Sequence, residues 1–101
     1  MGDKYILDGK KAVLCRDLMT WAKWFEKTNR HVADNIENDV RVSTIFLGLD
    51  HGYGGDVLLF ETMVFGGEHD GHMVRYRTYD QAEAGHKRIC EMVFGGRRGV
   101  K

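Results

Sequence analysis

Cysteine is scarce in this 101-residue chain, net charge is absent, and no apolar run approaches the roughly 18 residues that a membrane span needs. Each lack excludes something. Cys15 and Cys90 are the only two cysteines, lie far apart and form no CxxC pair, so neither a disulfide scaffold nor a cysteine zinc site is expected. They fit a reduced, cytosolic protein, where each acts as a small apolar side chain. Fifteen Lys and Arg balance fifteen Asp and Glu, which argues against a non-specific nucleic-acid binder and equally against an acidic DNA mimic. The first residues lack the charged and apolar pattern of a signal peptide. Met1-Gly2 resembles a myristoylation start, but Ile6 stands where Ser or Thr is needed.

What the chain does have is a stretch from Val40 to Phe65 in which two β-branched and aromatic runs flank a glycine-rich turn. That pattern defines a hairpin of strands 40–48 and 57–65. The first run alternates at Val40, Arg41, Val42 and Ser43 and then becomes apolar on both faces, as a central strand covered by helices on one side would. Upstream, Asp8-Gly9 suits a type I′ turn between short strands at 5–7 and 10–14. Leu18, Trp21, Ala22 and Phe25 recur at helical spacing within 16–28, with Asp17 in the first turn and Asn29 as the stop; Trp24 falls at the edge of this stripe. His31 to Ile36 reads as a strand that turns through Glu37-Asn-Asp39. Downstream, a loop at 66–72 precedes a short strand from Met73 to Arg77. Thr78-Tyr-Asp-Gln81 has capping-box spacing and starts a last helix running to about Phe94, with Tyr79, Ala82, His86, Ile89 and Val93 on its buried stripe. The expected fold is α+β, an antiparallel β-sheet with two α-helices packed on one face. Residues 1–94 form one domain and 95–101 a flexible tail.

Five histidines raise the question of a metal. Strand geometry separates the candidates: the Asp50-His51 loop and the Glu68-His69-Asp70-Gly71-His72 loop fall at opposite ends of a nine-residue strand pair, roughly 30 Å apart. No metal and no cofactor are therefore expected, and no catalytic constellation stands out. The candidate binding residues are Asp50, His51 and Tyr53, beside three glycines that permit close approach, together with Glu61 and His86. Glu61 shares a strand face with Leu59 and Met63. A loop symmetric about residue 69 would place Glu61 opposite Arg77, and an ion pair with Arg77 or Arg75 accounts for it; a general base partnered by His86 is the sharper alternative. His86, next to Gly85, is placed on the packed stripe. Gly85 inside a helix implies close packing against the sheet.

Tyr5-Ile-Leu-Asp-Gly-Lys10, Leu18-Met-Thr-Trp-Ala-Lys-Trp-Phe-Glu26, Val42-Ser-Thr-Ile-Phe-Leu-Gly-Leu-Asp-His51, Leu58-Leu-Phe-Glu-Thr-Met-Val-Phe-Gly-Gly67 and Tyr76-Arg-Thr-Tyr-Asp-Gln-Ala-Glu-Ala-Gly-His86 together resemble a family of small uncharacterised proteins encoded by bacteriophages and prophages. The resemblance covers Tyr5 to about Val93. Members often carry proline where this chain has Leu14, and this chain has none at all. The family brings no activity with it. The resemblance implies a non-enzymatic accessory protein of the bacterial host cytoplasm that binds a host protein, such as an inhibitor of a defence system of the CRISPR kind. Two alternatives stay open. One is a small-molecule or nucleotide binder, or a minor hydrolase, using the Asp50-His51 loop with Glu61 and His86. The other is a nucleic-acid-binding domain, since helix, three antiparallel strands and helix follow the order of double-stranded-RNA-binding domains, with Arg75, Arg77, Lys87 and Arg88 as its basic patch.

Overall fold

Two tight turns set the strand pairings. In the computed structural model, which describes residues 3–50, 52 and 55–95, the elements run β1 (Tyr5–Asp8), β2 (Lys11–Leu14), α1 (Leu18–Lys27), β3 (His31–Glu37), β4 (Val40–Phe46), β5 (Phe60–Phe65), β6 (Met73–Tyr76) and α2 (Tyr79–Cys90). Asp8 pairs with Lys11, so the first turn is Gly9-Lys10 and not Asp8-Gly9. Only Gly9 has positive φ, at +64°, the pattern of a II′ rather than a I′ turn. The I′ pattern occurs instead between β3 and β4, where Asn38 and Asp39 both take positive φ, of 49° and 67°. Asn and Asp tolerate that conformation better than other side chains do.

The strands divide into two sheets. β1 and β2 pair alone, while the main antiparallel sheet has the order β3-β4-β5-β6. The small sheet is tied to the end of β4 by the Lys4–Leu49 bridge and by the Tyr5 amide, which donates to the Gly48 carbonyl at 2.8 Å. β4 ends at Phe46 and β5 begins at Phe60, so the strands are shorter and their ends farther apart in sequence than the pattern 40–48 and 57–65 implies; the described residues between them are mostly irregular.

The fold is α+β, as the sequence implies. α2 packs on one face of the main sheet; the side chains it covers come from alternate positions, Val42, Thr44 and Phe46 on β4 and Phe60, Thr62 and Val64 on β5. Its start is set by Thr78, whose hydroxyl accepts from the Gln81 amide, while the Gln81 side chain accepts from the Arg77 amide. The helix continues as a π-helical turn, Glu91–Gly95, which buries Phe94 and takes in the first residue of the expected tail; residues 96–101 lie outside the described residues. α1 is capped by Asp17, which accepts from the Met19 amide and the Thr20 hydroxyl. It is more loosely held. None of its residues is fully buried, Leu18 is exposed, and Trp24 packs against the core with its ring at right angles to that of Phe46.

The core consists of two apolar clusters. One gathers Phe46, Leu59, Phe60, Tyr76 and Ala82; the other Val42, Val64, Ile89 and Phe94. Along β4, β5 and α2, the residues between the two clusters are Thr44, Thr62 and His86.

Candidate functional site

His86 stands in a polar layer between the two apolar clusters. It is 4% exposed, and both ring nitrogens are engaged. Nε2–H donates to Asn35 Oδ1 on β3 at 2.7 Å, which leaves Nδ1 to accept from the Thr44 hydroxyl, also at 2.7 Å. Thr44 has then committed its single proton, so in its 2.5 Å contact with Thr62 the donor is Thr62. Thr62 in turn accepts from the Tyr76 hydroxyl at 3.0 Å. The result is a one-directional chain, Tyr76 to Thr62 to Thr44 to His86 to Asn35, that requires a neutral imidazole. Burial agrees: desolvation holds the His86 pKa below its ordinary value of 6.5, against a weaker opposing pull from the Asp34 charge.

Thr44, His86 and Asn35 have the order of a nucleophile, a base and a residue that orients the base. Access decides against that use. Thr44 is 0% exposed, and among the described residues three cavities, of about 590, 570 and 220 Å³, are lined by others. The layer is a satisfied internal network. A one-residue slip of β4 or β5 would turn its hydroxyl out of the core, so the layer also fixes sheet register.

The other residues singled out in the sequence do not join His86. Glu61 lies next to Thr62 and so points to the opposite face, away from α2. Its register partner is Arg75, which donates to it from Nε at 3.1 Å. The pairing is centred on residue 68, not 69, and Arg77 instead pairs with Asp56. Arg75 thus lies across the sheet from Lys87 and Arg88 of α2, and the four basic residues do not form one patch. Asp50 braces its own loop: its Oδ1 accepts from the amides of Gly52 at 2.8 Å and Leu58 at 3.1 Å. His51 and Tyr53 lie outside the described residues. In the 66–72 loop, Asp70 accepts from the Gly66 amide, and the His72 amide donates to the His69 carbonyl. Among the described residues, no three His, Cys, Asp or Glu side chains gather as metal ligands do.

The surface that sequence reasoning missed is the sheet face away from α2. Cross-strand register arranges it in rows: Ile36, Arg41 and Phe65; then Asp34, Ser43, Met63 and Met73; then His31, Ile45, Glu61 and Arg75. Ile36, Phe65 and Met73 are 65%, 48% and 41% exposed. Arg41 holds Asp34 in a two-pronged pair at 2.9 and 2.8 Å, and this hydrogen bonding lowers the Asp34 carboxyl below its ordinary range. His31 Nε2 lies 3.3 Å from the same guanidinium. The signal was present in β5, where Met63 and Phe65 alternate with Phe60, Thr62 and Val64, leaving no wholly polar side.

No family model matches the chain, and no curated protein or solved structure matches it either. No helix among the described residues is long and apolar enough to cross a membrane.

Proposed function

We propose that this chain is a non-enzymatic binding protein that engages a protein partner through the uncovered face of the main sheet. The observation that carries this is the exposure of Ile36, Phe65 and Met73 in adjoining rows on that face. Large apolar side chains grouped on a rigid sheet gain by being covered. The charges around them are already paired within the chain, Arg41 with Asp34 and Arg75 with Glu61, so the face suits a protein surface of neutral balance better than a phosphate backbone. Commitment of both His86 nitrogens inside the core supports binding over catalysis. The resemblance to phage-encoded proteins favours a partner in a bacterial host, with a defence complex of the CRISPR kind as the target.

The test is to capture the partner from a phage-susceptible host, purify it and titrate it with the chain and with a Phe65→Glu/Met73→Glu variant. A saturable complex of fixed stoichiometry, lost in the variant while the thermal unfolding midpoint holds, is expected. Equal binding by the variant, or substrate turnover at substoichiometric protein, overturns the proposal.

A further inference from the structure

The 590 Å³ cavity lies apart from both the polar layer and the open sheet face. It opens between the tip of the β1–β2 hairpin and the junction of β6 with α2. Its apolar lining comes from Tyr5, Ala12, Leu59, Phe60 and Tyr79, two of them phenol rings. Three cations join that lining from two directions: Lys10 and Lys11 from the hairpin, and Arg77 from the strand end. Lys10 reaches Glu83 at 3.6 Å, and Arg77 pairs with Asp56, but neither carboxylate lines the cavity. Lys11 forms no ion pair with a described residue. Among the described residues of the lining, Asp8 is then the one acid facing three cations across the cavity. Thr78 and Tyr79, the cap and first residue of the twelve-residue α2, complete the wall, so the positive end of the helix dipole adds to the same field.

We propose that this cavity binds a small organic anion carried on a flat ring, of about the size of a nucleoside monophosphate or an aryl carboxylate. The volume is that of a small-molecule site, in which apolar walls supply most of the contact and a few converging polar groups fix orientation. The half-buried Tyr5 and Tyr79 rings receive the flat body, with Leu59 and Phe60 buried behind them, and Lys11, with Lys10 and Arg77, receives the anionic group. Lys10 already lies 5.4 Å from the Tyr79 ring centroid, so the hairpin tip and α2 are in contact before any ligand arrives. This site is independent of partner binding by the sheet face.

The experiment titrates the full chain with adenosine monophosphate, benzoate, adenosine and inorganic phosphate, followed by amide chemical shifts. Saturable shifts centred on Lys11, Thr78 and Tyr79 are expected with adenosine monophosphate if the group is a phosphate, or with benzoate if it is a carboxylate. The ring without charge and the charge without ring should bind at least about tenfold more weakly. Lys11→Glu, at an exposed position, should weaken the preferred anion by about tenfold or more, and Lys23→Glu on α1 should leave it unchanged. Absence of saturation by either ring-bearing anion, equal affinity for inorganic phosphate alone, or undiminished binding by Lys11→Glu overturns the proposal.

Discussion

The ring of Tyr76 lies so close to the backbone of Gly85 that a Cβ at position 85 would stand 2.2 Å from Tyr76 Cε1 and 2.3 Å from its hydroxyl oxygen. The Tyr76 ring rests directly on the helix backbone because Gly85 has no side chain, and the contact places the Tyr76 hydroxyl on Thr62. Gly85→Ala therefore sets two effects against each other. Alanine should stabilise the helix by about 1 kcal/mol, whereas forcing the ring away should cost about 1–3 kcal/mol and pull the hydroxyl from its acceptor. We expect net destabilisation, read as a lower midpoint in thermal unfolding. A raised midpoint would show that the ring yields freely.

His86 predicts a pH dependence with a definite sign. Its folded pKa lies below the ordinary 6.5, so between the two values the unfolded chain binds more protons than the folded one. The stabilisation is complete above 6.5 and is lost as pH falls through the folded value. Protonation would also reverse the hydrogen-bond chain, since Nδ1 would become a donor to Thr44. Urea midpoints measured between about pH 8 and pH 5 should fall more steeply in the native chain than in His86→Gln. Parallel profiles would remove His86 as the cause. Asp34, also lowered, contributes only in the carboxylate range and leaves this window untouched.

How much of this was legible follows from where each interaction is encoded. Local pattern carried the elements: the Thr78 cap, the period of Leu18, Trp21 and Phe25, and the packed position of His86 beside Gly85 can be read because their partners lie within a few residues. Register could not be read to the residue. Placing the 66–72 loop centre at 69 instead of 68 moved the partner of Glu61 from Arg75 to Arg77, and only the fold distinguishes them. The partners of His86 were hidden for a related reason. Thr44 and Asn35 are 42 and 51 residues away in sequence, and a threonine in a strand is ordinary by propensity. The basic and aromatic lining of the large cavity comes from four separate elements, so no single window of sequence displays it.

The hydroxyl chain predicts non-additivity. Thr44→Val leaves His86 Nδ1 without its donor and Thr62 without its acceptor, at a cost of about 1–3 kcal/mol; Thr62→Val likewise strands the Tyr76 and Thr44 hydroxyls. Once one link is gone, removing the next strands fewer groups. The double variant should therefore lose less than the sum of the singles, with a coupling of about 0.5–3 kcal/mol in denaturant unfolding. Strict additivity would mean the two hydroxyls are independently solvated.

Trp21 predicts where the molecule opens first. Its indole N–H is shared between the carbonyls of Tyr5 and Gly48, each at 3.1 Å, so one side chain joins α1 to β1 and to the end of β4. Around it the attachment is thin: no α1 residue is fully buried, and the small sheet adds backbone bonds to the main body at Lys4, Tyr5 and Asp3. Segments with few buried contacts exchange their amides through local opening, below the free energy of global unfolding. Trp21→Phe keeps a ring on Phe25 but removes the shared donor, leaving two half-buried carbonyls with one partner fewer. Hydrogen exchange should then accelerate at the Tyr5 amide, which donates to Gly48, while the Val64 amide, held to His72 inside the main sheet, changes little. Equal acceleration at both would mean that the two sheets unfold as one unit and that Trp21 contributes to global stability instead of to the attachment.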